Sequence, residues 1–110
     1  DFVEERSSLE GLGVHLVGRI VGRSGAKLVV EIDLFEALTW EPDIAASLLL
    51  ETGELLEAVV DRARSTRPGR FERGATLRLR LTASDEIPTD GPREILLGSA
   101  GTRLRIVIES

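Results

Sequence analysis

The sequence contains no cysteine, methionine, tyrosine, asparagine or glutamine. Without cysteine, the chain can form neither a disulfide nor a thiolate metal site. The combined absence of thermolabile amides and sulfur-containing residues is typical of thermophilic proteins. Lys27 is the single lysine among 14 basic residues, and a GC-rich genome would also favour arginine in this way. The composition therefore indicates the kind of organism that the chain comes from, and it does not indicate a function.

Long hydrophobic runs are absent as well. The longest, such as residues 48–50, are far shorter than the ~18 residues that a membrane-spanning helix needs. The first residues also lack the basic and apolar segments of a signal peptide. We therefore expect a soluble, cytoplasmic chain with no membrane partner. The 110 residues fit one domain, and the start at Asp1 rather than methionine leads us to expect a single compact domain, residues 1–110, taken from a longer protein.

Alternation of apolar and polar residues predicts several strands. Residues 14–34 alternate on both sides of residues 23–25, so they predict a β-hairpin that turns at Gly25. A further strand is predicted over Thr76–Leu81, and a turn-rich acidic loop follows it. The last predicted hairpin consists of Glu94–Leu97 and Arg103–Ile108, closed by Ser99, Ala100 and Gly101.

Residues 42–64 have a different period. Apolar residues recur there at helical spacing with acids on the other side, and Pro42 suits a first helical turn. The adjacent apolar pairs within residues 55–60 also favour a helix. Gly53 lies inside this run, where it costs about 1 kcal/mol in a helix. One long helix, two short helices and a hairpin turning at Thr52 and Gly53 are therefore the alternatives, and the pairs favour helix.

The predicted order is strand, strand, helix, strand, strand, strand. This order favours an α+β domain with a mostly antiparallel sheet of about five strands and one or two helices packed on one face. An all-β barrel or sandwich is the alternative. We expect the apolar residues of the helix to be mostly buried against Leu77, Leu79, Leu104 and Ile106. They are Leu48, Leu49, Leu55, Leu56, Val59 and Val60.

Charge is unevenly distributed along the chain. The net charge is −5, yet residues 62–80 contain seven arginines and one acid. Because guanidinium groups bind phosphates and carboxylates through two hydrogen bonds, this block predicts a surface that binds an anion. A solvated strand face and loop, partly neutralised by nearby acids, is the other interpretation. Arg103 and Arg105 join the surface if their strand lies beside that of Arg78. The predicted binding residues are Arg62, Arg64, Arg67, Arg70, Arg73, Arg78, Arg80, Arg103 and Arg105.

One segment resembles a nucleic-acid-binding family. Residues 20–28 are similar to the GxxG loop of KH domains, and residues 53–59 are similar to the start of the final KH helix. The resemblance implies that residues 22–25 hold the backbone of single-stranded nucleic acid. A hairpin turn at Gly25 explains the same residues. The strand-like alternation of residues 28–34 favours the hairpin, because a KH domain needs a helix there.

No catalytic arrangement is recognisable in the sequence. His15, the only histidine, has apolar neighbours in a predicted strand, which favours a partly buried structural role. No serine lies in a nucleophile-elbow context, and no glycine-rich segment continues into the Gly-Lys-Ser/Thr of a phosphate loop. Trp40 is expected to be a packing residue. We therefore expect no enzyme activity, no cofactor and no metal.

These observations favour a non-catalytic protein-interaction or assembly module of a larger protein. Its expected partner is another protein or a second copy of the chain. The alternative is binding of single-stranded nucleic acid, or of another anion, through the arginine-rich surface. Overall acidity disfavours nucleic acid, because neutralisation of phosphates supplies most of the affinity in such complexes.

Overall fold

The structure of the chain, a computed structural model, describes residues 13–109. Within this range the chain forms nine β-strands and no helix. The strands are β1 (Gly13–Ser24), β2 (Lys27–Asp33), β3 (Leu38–Trp40), β4 (Pro42–Leu49), β5 (Leu55–Val60), β6 (Gly69–Phe71), β7 (Thr76–Ala83), β8 (Glu94–Ser99) and β9 (Thr102–Ile108).

Seven strands form a closed barrel in the order β1-β2-β7-β5-β4-β8-β9. Neighbouring strands are antiparallel except β1 and β9, whose parallel pairing closes the barrel. The long strand β1 makes this closure possible, because residues 13–18 pair with β9 and residues 17–24 pair with β2. Strands β3 and β6 form a separate two-stranded sheet. The strand directions place this small sheet at the end of the barrel where β1 begins, which we call the lower end.

Inward-facing residues of the seven strands fill the barrel. In β7, Leu77, Leu79 and Leu81 are at most 2% exposed, and the residues between them point outward, as the two-residue period of a strand requires. Trp40 on β3 is completely buried, and its indole Nε1 donates a hydrogen bond to the carbonyl oxygen of Thr66 at 2.9 Å. Trp40 is therefore a packing residue, as the sequence indicated.

A glycine is required where β1 passes from β9 to β2. A Cβ atom on Gly18 would lie 2.8 Å from Cγ2 of Ile106 and 3.0 Å from Cγ1 of Val30. Both neighbours are fully buried, so neither side chain can move aside into solvent. The side chains of β2 and β9 thus occupy the space that any larger residue at Gly18 would need.

Residues 42–64 contain a β-hairpin, so the predicted helix and the α+β class are both wrong. Strands β4 and β5 pair antiparallel, and the amide of Gly53 donates a hydrogen bond to the carbonyl oxygen of Leu50 at 2.9 Å in the turn between them. Gly53 has a φ of 89°, a backbone conformation that is costly for other residues. The fold is instead the alternative architecture, an all-β barrel.

The adjacent apolar pairs of this hairpin explain the wrong prediction. Leu48 and Val60 face the core and are 0% and 4% exposed, whereas Leu55 and Val59 face outward and are 60% and 55% exposed. The pairs resemble a helix pattern because both faces of this part of the sheet are apolar. The expectation that all six apolar residues are mostly buried is therefore wrong for Leu55 and Val59.

The other predicted strands are confirmed. Residues 14–34 form the β1–β2 hairpin, with Gly25 at a φ of 61° in its turn. The strand predicted over Thr76–Leu81 lies within β7, and β8 and β9 form the last hairpin. The predicted loop before β7 additionally contains the short strand β6.

Candidate interaction surface

The outer surface of the barrel has a charged part on β1, β2 and β7. Glu31 on β2 pairs with Arg19 on β1 at 3.2 Å and with Arg78 on β7 at 3.1 Å. Arg19 also contacts Asp33 at 2.6 Å. The hydrogen bond from Arg19, together with one from Thr76, holds the pKa of Asp33 below its usual value. Acids and bases on this part of the surface therefore neutralise each other across neighbouring strands.

The outer surface of β5, β4, β8 and β9 is apolar, and we call it the apolar face. Its most exposed large side chains are Leu55 and Val59 on β5, at 60% and 55%, Ile44 on β4, at 57%, and Val107 on β9, at 41%. Leu49 on β4 and Leu96 on β8 are half-buried between them. Exposed apolar side chains thus extend across four adjacent strands.

The strand register arranges the apolar face in three rows, each crossing from β5 to β9. Glu57 lies on the β5 side of the face and Arg103 and Arg105 lie on the β9 side, while the carboxylate of Asp43 on β4 lies against Gly98 near the middle of the lower row. The upper row is Leu55, Leu49, Glu94 and Val107. The middle row is Glu57, Ser47, Leu96 and Arg105. The lower row is Val59, Ala45, Gly98 and Arg103, interrupted by a bulge in β4.

A depression of about 510 Å³ lies on this face between β7 and β8. It forms because the outward positions of β4 and β7 have small side chains, among them Ala45, Ser47 and Thr82. Val59 and Leu96 form part of its lining, and Glu57 is the one ionisable residue in that lining. The depression is suited to an apolar side chain of a docking partner.

One acid of the apolar face is almost completely buried. The side chain of Glu94 is 10% exposed, and Nε of Arg105 donates a hydrogen bond to its Oε1. A buried carboxylate needs such a cationic partner, because removing one member of the pair leaves an uncompensated charge. Arg105, one of the predicted binding residues, therefore has a structural partner in the barrel.

Five of the predicted binding arginines lie in the connection between β5 and β7, at the lower end. Arg62 donates a hydrogen bond to the carbonyl oxygen of Pro42 at 3.0 Å, and so holds the start of β4. Within residues 13–109, Arg67 and Arg73 make no hydrogen bond or ion pair. Arg64 approaches Asp61 at 3.8 Å and Arg70 approaches Thr39 at 3.5 Å, both weak contacts. These five residues are Arg62, Arg64, Arg67, Arg70 and Arg73.

The remaining four arginines form two separate groups. Arg78 and Arg80 lie on β7, where Arg78 is engaged by Glu31 and Arg80 is half-buried. Arg103 and Arg105 lie on β9, which is separated from β7 by both β1 and β2. Three strand spacings amount to about 14 Å. The structure thus does not bring the β9 pair beside Arg78, and it divides the nine arginines among three places.

An aromatic residue that sequence analysis missed also lies at the lower end. Phe35 is 61% exposed. Hydrogen bonds of 2.9 Å from Leu34 to the carbonyl oxygen of Ala75, and from Gly74 to that of Leu34, hold its segment beside the connection that contains Arg73. The sequence could have indicated this exposure, because Phe35 follows directly after the alternating residues of β2, and an apolar residue in a turn is often exposed.

The segment that resembles a KH loop forms the turn of the β1–β2 hairpin, and no helix begins at Gly25. Arg23 donates hydrogen bonds to the carbonyl oxygens of Pro88 and Thr89 and so fastens the β7–β8 loop. The KH interpretation is therefore wrong. His15 is exposed on β1, so its expected partial burial is wrong too.

The described residues contain no group of three or more His, Cys, Asp and Glu side chains that could hold a metal ion. Over residues 13–109 there is also no helix long and apolar enough to cross a lipid bilayer. Comparisons with protein-family models, with curated proteins and with solved structures found no match.

Proposed function

We propose that the chain is a non-catalytic protein-interaction or assembly module of a larger cytoplasmic protein, and that it docks through the apolar face. The exposure of Leu55 and Val59, at 60% and 55%, is the observation that supports this most strongly. Contiguous exposed apolar surface on a folded domain is typical of sites that bind another protein. The ion-paired surface of β1, β2 and β7 has no comparable cluster.

The composition of the depression supports a docking role rather than catalysis. Glu57 is its single ionisable residue, so the lining has no second acid or base to form a catalytic pair with it or with the hydroxyl groups of Ser47, Thr82 and Ser84. His15 lies on β1, outside the four strands of the face. A shallow apolar recess with one carboxylate at its side can receive a side chain of a partner, with the carboxylate available to a partner cation.

Site-specific photo-crosslinking tests this proposal. A photoreactive amino acid replaces Val59 in one sample and Val21 in the other, within the parent protein in its own cells. Val21 is a matched control, because it is 48% exposed but lies on β1, outside the face. We expect one dominant protein adduct from position 59, lost in Leu55→Asp, and little adduct from position 21. Equal labelling at both positions, or none at position 59, would contradict the proposal.

The second candidate is anion binding at the lower end of the barrel. It is favoured by Arg67 and Arg73, which have no partner among residues 13–109, and by the exposed ring of Phe35, on which a base could stack. Arg70 is held only by its contact with Thr39 at 3.5 Å. This candidate therefore rests on three of the nine predicted arginines, Arg67, Arg70 and Arg73.

Titration of labelled single-stranded RNA at two salt concentrations distinguishes the two candidates. Three arginines on phosphates would give a slope of log K against log salt of about −2, at ~0.7 per contact. We expect no measurable binding, because the chain has a net charge of −5 and because two acids are adjacent in sequence to this candidate site, Glu72 next to Arg73 and Glu36 next to Phe35. Binding with the steep slope, abolished by Arg73→Glu, would establish the second candidate instead.

A further inference from the structure

We propose that the partner of the apolar face is a second copy of this chain, docked about a two-fold axis that runs parallel to the strands between β4 and β8. The inference rests on the proposed function and specifies its partner. A two-fold interface must be self-complementary, because each copy presents the same residues to the other. The distribution of charge, shape and apolar surface on this face meets that requirement.

Charge is the first part of the complementarity. The acid Glu57 lies on β5, at one side of the face, and the cations Arg103 and Arg105 lie on β9, at the other side. A two-fold axis between β4 and β8 places β5 of one copy opposite β9 of the partner. Each Glu57 then faces Arg105 of the partner subunit, with Arg103 of the partner subunit one row away on the same side, and the contact occurs twice. The opposite arrangement, with acids on both sides, would repel a second copy.

Apolar contacts and shape agree with the same axis. In the upper row, Leu55 comes opposite Val107 of the partner subunit. In the middle row, the small Ser47 comes opposite Leu96 of the partner subunit. That leucine then lies over the depression of the first copy. One symmetry operation thus brings Leu55 to Val107 of the partner subunit and Leu96 to the depression of the partner subunit. Neither contact needs a change in the backbone, and sheets packed face to face in this way keep their strands nearly aligned.

The size of the face indicates the affinity to expect. Four strands spaced by about 4.8 Å and five residues rising about 3.4 Å each give a flat footprint of roughly 19 by 17 Å. Even allowing for the relief of the side chains, two such footprints lie at the low end of the range for specific protein interfaces. We therefore expect a dimer that dissociates in the micromolar range rather than an obligate one.

Sedimentation equilibrium from about 5 µM to about 500 µM brackets this affinity and measures the association directly. We expect the wild-type chain to change from monomer to dimer over this range. Leu55→Asp should weaken the dimer at least about tenfold, because Leu55 comes opposite Val107 of the partner subunit and the change removes that apolar contact. The matched control Val21→Asp should change the dissociation constant by less than about threefold. Trp40 fluorescence shows whether each variant is folded, because this tryptophan is completely buried.

A charge-exchange experiment tests the geometry of the axis. Glu57→Arg and Arg103→Glu each place like charges on opposite sides of a symmetric dimer, so each variant alone should dimerise less than the wild type. Mixing the two variants should restore association, because every acid then faces a base in the mixed dimer. Arg105 is left unchanged in these variants, because it is the cation that pairs with the buried carboxylate of Glu94.

The possible results separate this inference from the proposed function. A wild-type chain that stays monomeric at every concentration, or a dimer that Leu55→Asp leaves intact, overturns self-association. Variants that both weaken the dimer but fail to recover on mixing overturn the two-fold axis. In either case, crosslinking from position 59 to a different protein would still support docking through the apolar face, whereas its absence would remove the proposed function as well.

Discussion

Val60 and Val59 are neighbours in sequence, but the barrel predicts opposite results when each is changed to alanine. Val60 is 4% exposed and Val59 is 55% exposed. Removing two buried methyl groups from Val60 forfeits about 1.6 kcal/mol at ~0.8 kcal/mol per group. A cavity that collapses only partly adds up to about 1 kcal/mol. Val60→Ala should therefore cost about 2–3 kcal/mol, and Val59→Ala should stay within about 0.5 kcal/mol of wild type, as surface substitutions usually do.

Denaturant unfolding followed by the fluorescence of Trp40 measures both values, and a fixed slope against denaturant shows that only stability has changed. Thermal unfolding should show a fall of roughly 10 °C for Val60→Ala. Dilute samples are needed, because self-association would add to the apparent stability of the wild type. Equal costs for the two variants would refute the strand assignment, since a packed helix over residues 55–60 buries both valines.

Three further predictions concern the barrel itself. Gly18→Ala should destabilise the fold by about 1–2 kcal/mol. The free-energy cost of overpacking the core exceeds the stabilisation that alanine gives by lowering the entropy of the unfolded chain. Chemical denaturation measures this loss of stability. Arg105→Ala should cost about 2 kcal/mol or more, because it leaves Glu94 buried without its cation, and the same assay applies. Because folding lowers the pKa of Asp33, its contact with Arg19 stabilises the fold above the ordinary aspartate pKa of about 3.9 and is lost as pH falls through the lowered value. Arg19→Ala should raise the pKa of Asp33 in an NMR titration.

Matched controls exist for the first two of these predictions. A Cβ atom on Gly22 would lie 3.4 Å from Val29, an ordinary contact, so Gly22→Ala should be nearly neutral. The side chain of Arg103 makes no hydrogen bond or ion pair within the part of the chain that the structure describes, so Arg103→Ala should cost less than about 0.5 kcal/mol. Gly18→Ala as stable as Gly22→Ala, or Arg105→Ala as stable as Arg103→Ala, would contradict the packing described above. A pKa of Asp33 that is unchanged by Arg19→Ala would contradict the third prediction.

Much of the fold could be predicted from local sequence patterns. The β1–β2 and β8–β9 hairpins follow from period-two alternation around short turns, because one side of each strand faces the core and the other faces water. This reasoning failed over residues 42–64, where outward positions are apolar as well. An outward Val59 beside an inward Val60 produces the same adjacent pair as a helix, and only Gly53 indicated the turn.

The candidate site could be predicted less well than the fold. The arginine block is obvious in the sequence, but which arginines meet depends on barrel closure, and the parallel pairing of β1 with β9 joins residues about 90 positions apart. Local patterns contain no information on such a contact. The apolar face was hidden for a related reason, because Leu55 and Val59 were assigned to the core of a helix that does not exist.

An NMR dilution series tests the central claim most directly, since it shows where the chain associates as well as whether it does. Amide resonances are compared between about 20 µM and about 1 mM, a range that spans the expected micromolar dissociation constant. We expect concentration-dependent shifts to cluster at Leu49, Leu96 and Val107, with Val21 and Glu31 unchanged. Spectra that do not change with concentration, or shifts confined to the arginine-rich lower end of the barrel, would contradict the account.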